Sequence, residues 1–268
     1  MIGRRTVFVL LALAVGGALL LKAGLPIGIS PSTQEVFDAI EALDSGSVVM
    51  ISFDHEASSL PEVGPLGAAI TDHCFRRGIP VVGLALFSEG TAAGYDLLGR
   101  RAAAAGRRYG DDWIYLGFRP QYTAAILGMG ESIAGVFAAD YEGNALETLP
   151  LGRRVATYDD IALVISVADG SMPTYWVEFA QARYGQEIVA ALSAVMVTSF
   201  LPYYEAGQLA GIVAGFRGAA EYEQLLNAPG AGTRGMSAQS AAHGLIALLV
   251  VWGNVQAWRD RRRKRREV

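Results

Sequence analysis

The chain has 268 residues, 52% of them hydrophobic, a formal net charge of −4 and a mean hydropathy of +0.30. That length suits one large domain or two small ones, and the hydropathy makes membrane segments the first thing to seek. The single cysteine, Cys74, excludes an intramolecular disulfide, no Cys/His spacing of the metal-binding kind occurs, and Cys74 reads as a small packed hydrophobe.

The N-terminal "MIGRR" is followed by "TVFVLLALAVGGALLL", Thr6 to Leu21. "AGLPIGI" extends the apolar stretch beyond Lys22 toward the ~20 residues that cross a bilayer. Signal peptides share the basic start, but no clear A-x-A site follows and the run exceeds a usual h-region. Residues 1–26 are therefore expected to form an uncleaved transmembrane anchor.

An amphipathic helix should follow in "STQEVFDAIEALDSG", with Ser32 and Glu35 as a capping box and Val36, Phe37, Ile40 and Leu43 on one face. Gly46 would end it. Continuous apolar runs then appear at 47–53, 80–87, 113–118, 161–167 and 187–197, the pattern of strands covered on both faces. Helix-like stretches separate them: "PEVGPLGAAITDHCFRRG", "TAAGYDLLGRRAAAAGRRYG", "YTAAILGMGESIAGVFAADY" and "MPTYWVEFAQARYG". This alternation predicts one α/β domain over residues 32–228. Its doubly wound, mostly parallel, Rossmann-like sheet would have five strands in the order 3-2-1-4-5.

"GQLAGIVAGFRGAAEYEQLL" places Gly207, Gly211, Gly215 and Gly218 four, four and three apart, which reads as a small-residue seam along one helix. "NAPGAGTRG" reads as a hinge, with a linker at 229–235. A second apolar segment, 236–258, is expected to be a C-terminal transmembrane helix, and residues 259–268, "RDRRRKRREV", a basic cytoplasmic tail. Basic flanks stay in the cytoplasm, so both termini should lie there and the central domain on the extracytoplasmic side. The charge agrees: between Ile27 and Trp258 there are twelve arginines, no lysine and twenty-four acids, or 12 − 24 = −12. Such a domain does not suit nucleic acid. The tail suits anionic lipid headgroups.

Ligands in open α/β sheets bind beyond the carboxyl ends of the strands, where strand order reverses. The candidates are Asp54, His55 and Glu56 after the first strand, Ser88 and Glu89 after the second, and Asp169 and Ser171 after the fourth. Arg119, Gln121 and Tyr122, and Ser199, Tyr203, Tyr204 and Glu205, follow the third and fifth. The same residues have a plain structural reading, since strand ends need polar groups and Ser59 with Glu62 fits a capping box behind Pro61. A Ser88 or Ser171 triad with His55 and Asp54 or Asp169 has the right residue types, but neither serine sits in a G-x-S-x-G elbow. Adjacent strand residues point to opposite faces, which disfavours a metal held by Asp54 and His55 together. "GMGESIAG" is not a phosphate-binding glycine pattern, and no cofactor is expected.

On the second membrane segment Gln239, Ser240, His243 and Asn254 fall within about 100° of arc. Polar groups in hydrocarbon normally face protein, so this stripe is expected to meet the first anchor of the same chain, another membrane protein or a second copy. These features favour a non-enzymatic interaction or ligand-sensing module tethered to the membrane, as part of a larger assembly. The alternative is a membrane-anchored hydrolase with its site at the ends of the first and fourth strands.

Overall fold

Six short apolar runs become strands: β1 (Val49–Asp54), β2 (Val81–Ala85), β3 (Trp113–Phe118), β4 (Leu163–Ala168), β5 (Ile188–Leu192) and β6 (Gly211–Ala214). They form one sheet, all parallel, in the order β3-β2-β1-β4-β5-β6. The computed structural model describes residues 3–21 and 27–264. These divide into a unit Gly28–Gly232, which holds the sheet, and a unit made of Met1–Ile27 with Thr233–Val268.

Helices in chain order are α1 (Arg4–Leu21), α2 (Pro31–Glu41), α3 (Leu60–Arg77), α4 (Gly90–Ala104), α5 (Tyr122–Glu131), α6 (Ile133–Val136), α7 (Met172–Trp176), α8 (Ala182–Tyr184), α9 (Val197–Glu205), α10 (Gly215–Leu225) and α11 (Ala231–Lys264). A π-helical turn, Val177–Gln181, joins α7 to α8. Alternate strand residues enter two cores. Val49, Ile51 and Phe53 of β1 pack with α2, α3, α4 and α10, whereas Met50 of β1 packs with residues of α5, α7 and α9 on the other face. Both faces are thus covered by helices, which explains the continuous apolar runs. The strand order reverses between β1 and β4, the site-forming position of such a sheet.

Several expectations need correction. The sheet has six strands, not five. β6 is the "GIVA" within the stretch expected to be a glycine-lined helix, so Gly211 lies in a strand and Gly215 begins α10. No space exists there for a side chain: a Cβ on Gly211 would stand 2.5 Å from Val36. The fifth run stops being a strand at Leu192 and continues as a turn and α9.

Neither capping box forms. Pro31 occupies the first turn of α2, which shifts the cap to Ser30, and Glu35 instead accepts from Tyr204 Oη at 2.6 Å. At α3 the Ser59 backbone is itself helical (φ −89°, ψ −10°) and its side chain makes no cap hydrogen bond, while the Glu62 carboxylate accepts from the Ala194 amide. The third helix-like stretch breaks at Ser132 into α5 and α6. The expected 229–235 hinge is helical from Ala231.

Of the described residues, one helix is long and apolar enough to cross a membrane, Ala231–Arg259 within α11. α1 supplies a helix where the first anchor is expected, and residues 22–26 of that anchor lie outside the described residues. So do residues 265–268 of the basic tail.

Candidate functional site at the carboxyl edge of the sheet

Asp54 closes β1 and is buried, 2% exposed. Its Oδ1 accepts from Ser52 Oγ (2.7 Å) and the Leu86 amide (3.0 Å), and its Oδ2 from Ser166 Oγ (2.8 Å) and Trp176 Nε1 (3.1 Å). Those donors come from β1, the end of β2, β4 and α7, so one carboxyl group ties the strand-order reversal together. Among the described residues no cation pairs with it. Burial, the largest influence, raises the Asp54 pKa above its ordinary 3.8, although all four hydrogen bonds oppose the rise.

Around this carboxyl the loops after the strands are fastened by other acids. Asp169 Oδ2 accepts from the Glu56 amide (3.0 Å), Glu89 Oε2 from the Ala57 amide (3.0 Å), and Glu62 Oε1 from the Ala194 amide (2.8 Å). "FDHE" and "ADGS" are therefore joined, as expected of neighbouring strand ends. α4 approaches β1 so closely that only glycine fits at its start: a Cβ on Gly90 would lie 1.9 Å from the Phe53 carbonyl oxygen.

These loops enclose an open cleft of about 510 Å³, lined by residues that include Asp54, Glu56, Glu62, Asp169, Ser171 and Ser193. Tyr122, Tyr175, Phe87 and Met172 supply an apolar and aromatic wall. The two tyrosine rings lie 4.4 Å apart and tilted by 42°. Gln121, just before Tyr122, holds a left-handed backbone (φ 57°) that a non-glycine residue rarely adopts. Among the described residues, no lysine, arginine or histidine lines the cleft.

Of the residues singled out in the sequence, Asp54, Glu56, Asp169, Ser171 and Tyr122 line this cleft, and His55, Ser88 and Glu89 do not. His55 is 1% exposed, and its ring nitrogen Nδ1 meets the Glu56 carbonyl at 3.0 Å. It lies one residue past the end of β1 and does not line the cleft. Among the described residues no hydrogen bond joins His55 to Ser88 or Ser171, and no three His, Cys, Asp or Glu side chains are placed to hold a metal ion. Arg119 lies 5.0 Å from the Phe137 ring, outside the cleft lining.

Among the lining residues that the sequence reading did not single out as site candidates are Glu62, Tyr175 and Ser193. Ser193 is the first residue after β5, 3% exposed, and its hydroxyl oxygen has no hydrogen-bond partner. A buried hydroxyl without a partner in a cleft wall is a cost that a ligand group can remove.

No protein-family model, curated protein or solved structure matches the chain. Function therefore rests on this chain's own geometry.

Proposed function

We propose that the protein is a membrane-tethered ligand-sensing module, whose cleft at the ends of β1, β4 and β5 communicates with the chain segments leading to its terminal helices. One observation carries this reading: α10 touches the cleft at one end and holds both segments along its length. Gly215, its first residue, has φ 58°, and a Cβ there would meet Ala194 at 2.9 Å and Glu62 Oε1 at 3.1 Å. Glu62 and the Ala194 loop are parts of the cleft rim. Further along, buried Glu221 accepts at Oε2 from the Ser30 hydroxyl (2.6 Å) and amide (3.1 Å), a few residues beyond α1. Buried Glu223 accepts from the amides of Gly230 (2.7 Å) and Gly232 (2.8 Å), where α11 begins. A shift of the Glu62–Ala194 rim upon binding would press on Gly215 and move α10 with both fastenings. A differential contact of this kind is what a binding event needs to bias a distant element.

The wider arrangement supports a membrane setting. α11 offers the apolar span, and Gln239, His243 and Asn254 on it are exposed, with Ser240 half-buried. In the proposed topology α1 is a second span, both termini are cytoplasmic and the acidic domain is extracytoplasmic. The polar stripe would meet another membrane protein or a second copy, and the basic tail anionic lipid headgroups. A hydrolase reading draws on the same cleft, but His55 is not among the described residues that line it, so sensing is preferred.

Hydrogen–deuterium exchange on the full chain in lipid nanodiscs tests the coupling. Gly170→Trp fills the cleft at a position where a Cβ meets nothing within 4 Å. Exchange at the amides of Ser30, Gly230 and Gly232 should change in this variant, and the change at Ser30 should vanish when Glu221→Ala is added. A change confined to the cleft loops would refute the coupling. A reporter fused after Val268 that proves extracytoplasmic would refute the topology.

A further inference from the structure

We infer that the cleft binds a small organic cation, an ammonium group carried on a short apolar or aromatic body. This rests on the ligand-sensing reading and names the chemistry of its ligand.

Charge selects the class. Beside the buried Asp54, Glu56, Glu62 and Asp169 bring three further carboxylates to the cleft, with no lysine, arginine or histidine among the described lining residues. Asp169 and Glu62 each spend one oxygen on a backbone amide, and the other oxygen of each has no hydrogen bond among the described residues. A carboxylate has roughly four lone-pair positions, so each retains capacity for an N⁺–H donor. An anion such as a phosphate would meet repulsion and no basic side chain. A bare metal ion fits no better, since the carboxylates do not converge into a coordination set.

Shape and surface narrow it further. The volume of about 510 Å³ lies within the usual range for small-molecule sites. Tyr122 and Tyr175 belong to the same lining as the acids, with rings 4.4 Å apart, and acids together with aromatic rings suit an ammonium by charge and by cation–π attraction. Phe87 is 37% exposed, which leaves apolar wall for a hydrocarbon body. The Ser193 hydroxyl is the second, independent observation: buried side-chain oxygens are ordinarily bonded, this one has no partner among the described residues, and Ser193 belongs to the cleft lining. A ligand N–H or O–H would complete it.

The test is isothermal titration of the full-length protein in mild detergent with three probes of one shape: 2-phenylethylamine, 2-phenylethanol and phenylacetate. The cation should bind, with the neutral and anionic probes about tenfold or more weaker. The double variant Asp169→Asn with Glu62→Gln keeps an acceptor for both backbone amides, so it should fold and yet lose about tenfold or more of the affinity for the amine. Tyr175→Leu should weaken amine binding while leaving the fold's circular dichroism unchanged. Equal binding of 2-phenylethanol, insensitive to the double variant but abolished by Gly170→Trp, would overturn the cation class and leave the ligand cleft standing. Binding that persists in Gly170→Trp, or no binding of any probe, would also overturn the inference. The sensing reading is judged separately, by exchange at the segments fastened to α10.

Discussion

Replacing Asp54 by asparagine preserves size but removes an acceptor, and the consequence can be worked from its partners. The Leu86 amide points at one carboxyl oxygen and the Trp176 indole N–H at the other. Neither donor can reverse its role. The asparagine amide has one oxygen, so one of these N–H groups must face an NH₂. A buried donor left without a partner costs about 1–3 kcal/mol. The wild-type carboxyl already relieves part of its burial cost by taking up a proton more readily, and its two serine partners can accept that proton. The neutral amide therefore recovers little. We expect a loss of about 2 kcal/mol, or ~4–8 °C in Tm for a domain of this size. Urea unfolding of the full chain in mild detergent, followed by circular dichroism and tryptophan fluorescence, measures it.

The pH profile adds a second signature. With the folded-state pKa raised above 3.8, the folded chain holds more protons than the unfolded one between those two values. Asp54 then makes stability fall as pH rises through that window, with its full penalty present above it. The asparagine variant should lack this contribution. Stability within about 0.5 kcal/mol of wild type, or an unchanged profile, would refute the central role given to this carboxyl.

Further outcomes follow from other contacts. Gly90→Ala should destabilise by more than about 3 kcal/mol or prevent folding, because its methyl group would collide with the Phe53 carbonyl, and denaturation midpoints would show this. His73 is bonded to Tyr222 Oη (2.8 Å) and Glu41 (2.9 Å), and burial, only partly offset by Glu41, lowers its pKa below 6.5. Its contribution is therefore intact above pH 6.5 and lost as pH falls through the folded-state value, so His73→Gln should flatten that part of the stability profile. Glu221 has a lowered pKa: burial, the largest influence, acts upward, and the hydrogen bonds from Ser30 and Arg217 outweigh it. Its fastening should hold above pH 4.5 and loosen as pH falls through the folded-state value, a slope absent from Glu221→Gln. Burial pushes the Cys74 thiol up to about 12, so the folded chain should resist aromatic disulfide reagents that label it readily in denaturant.

The parallel sheet and its reversal point were legible because β1 to β4 are uninterrupted apolar runs bounded by polar turns. β6 was not, because four residues among glycines at helical spacing carry too little pattern to separate strand from helix. Reading the fifth run through to Val197 had a further consequence: it hid Ser193, which an end at Leu192 would have placed in the site. The capping boxes did not form, and their acids have tertiary partners. Glu35 and Glu62 had the right local spacing, but Tyr204 and the Ala194 amide, far away in sequence, hold them instead. Asp54 looked like a solvent-facing strand end, and only the structure reveals its four internal donors. His55, one residue past the end of β1, reads from the sequence equally as a crevice residue or a solvent-facing one, and only the structure removes it from the cleft lining.

Native mass spectrometry of the full-length protein, released gently from the membranes in which it was made, tests the ligand cleft most directly. The account predicts a small-molecule adduct on the wild-type chain that is missing from Gly170→Trp. A wild-type chain that carries no adduct, or an adduct retained unchanged by the cleft-filling variant, would contradict it.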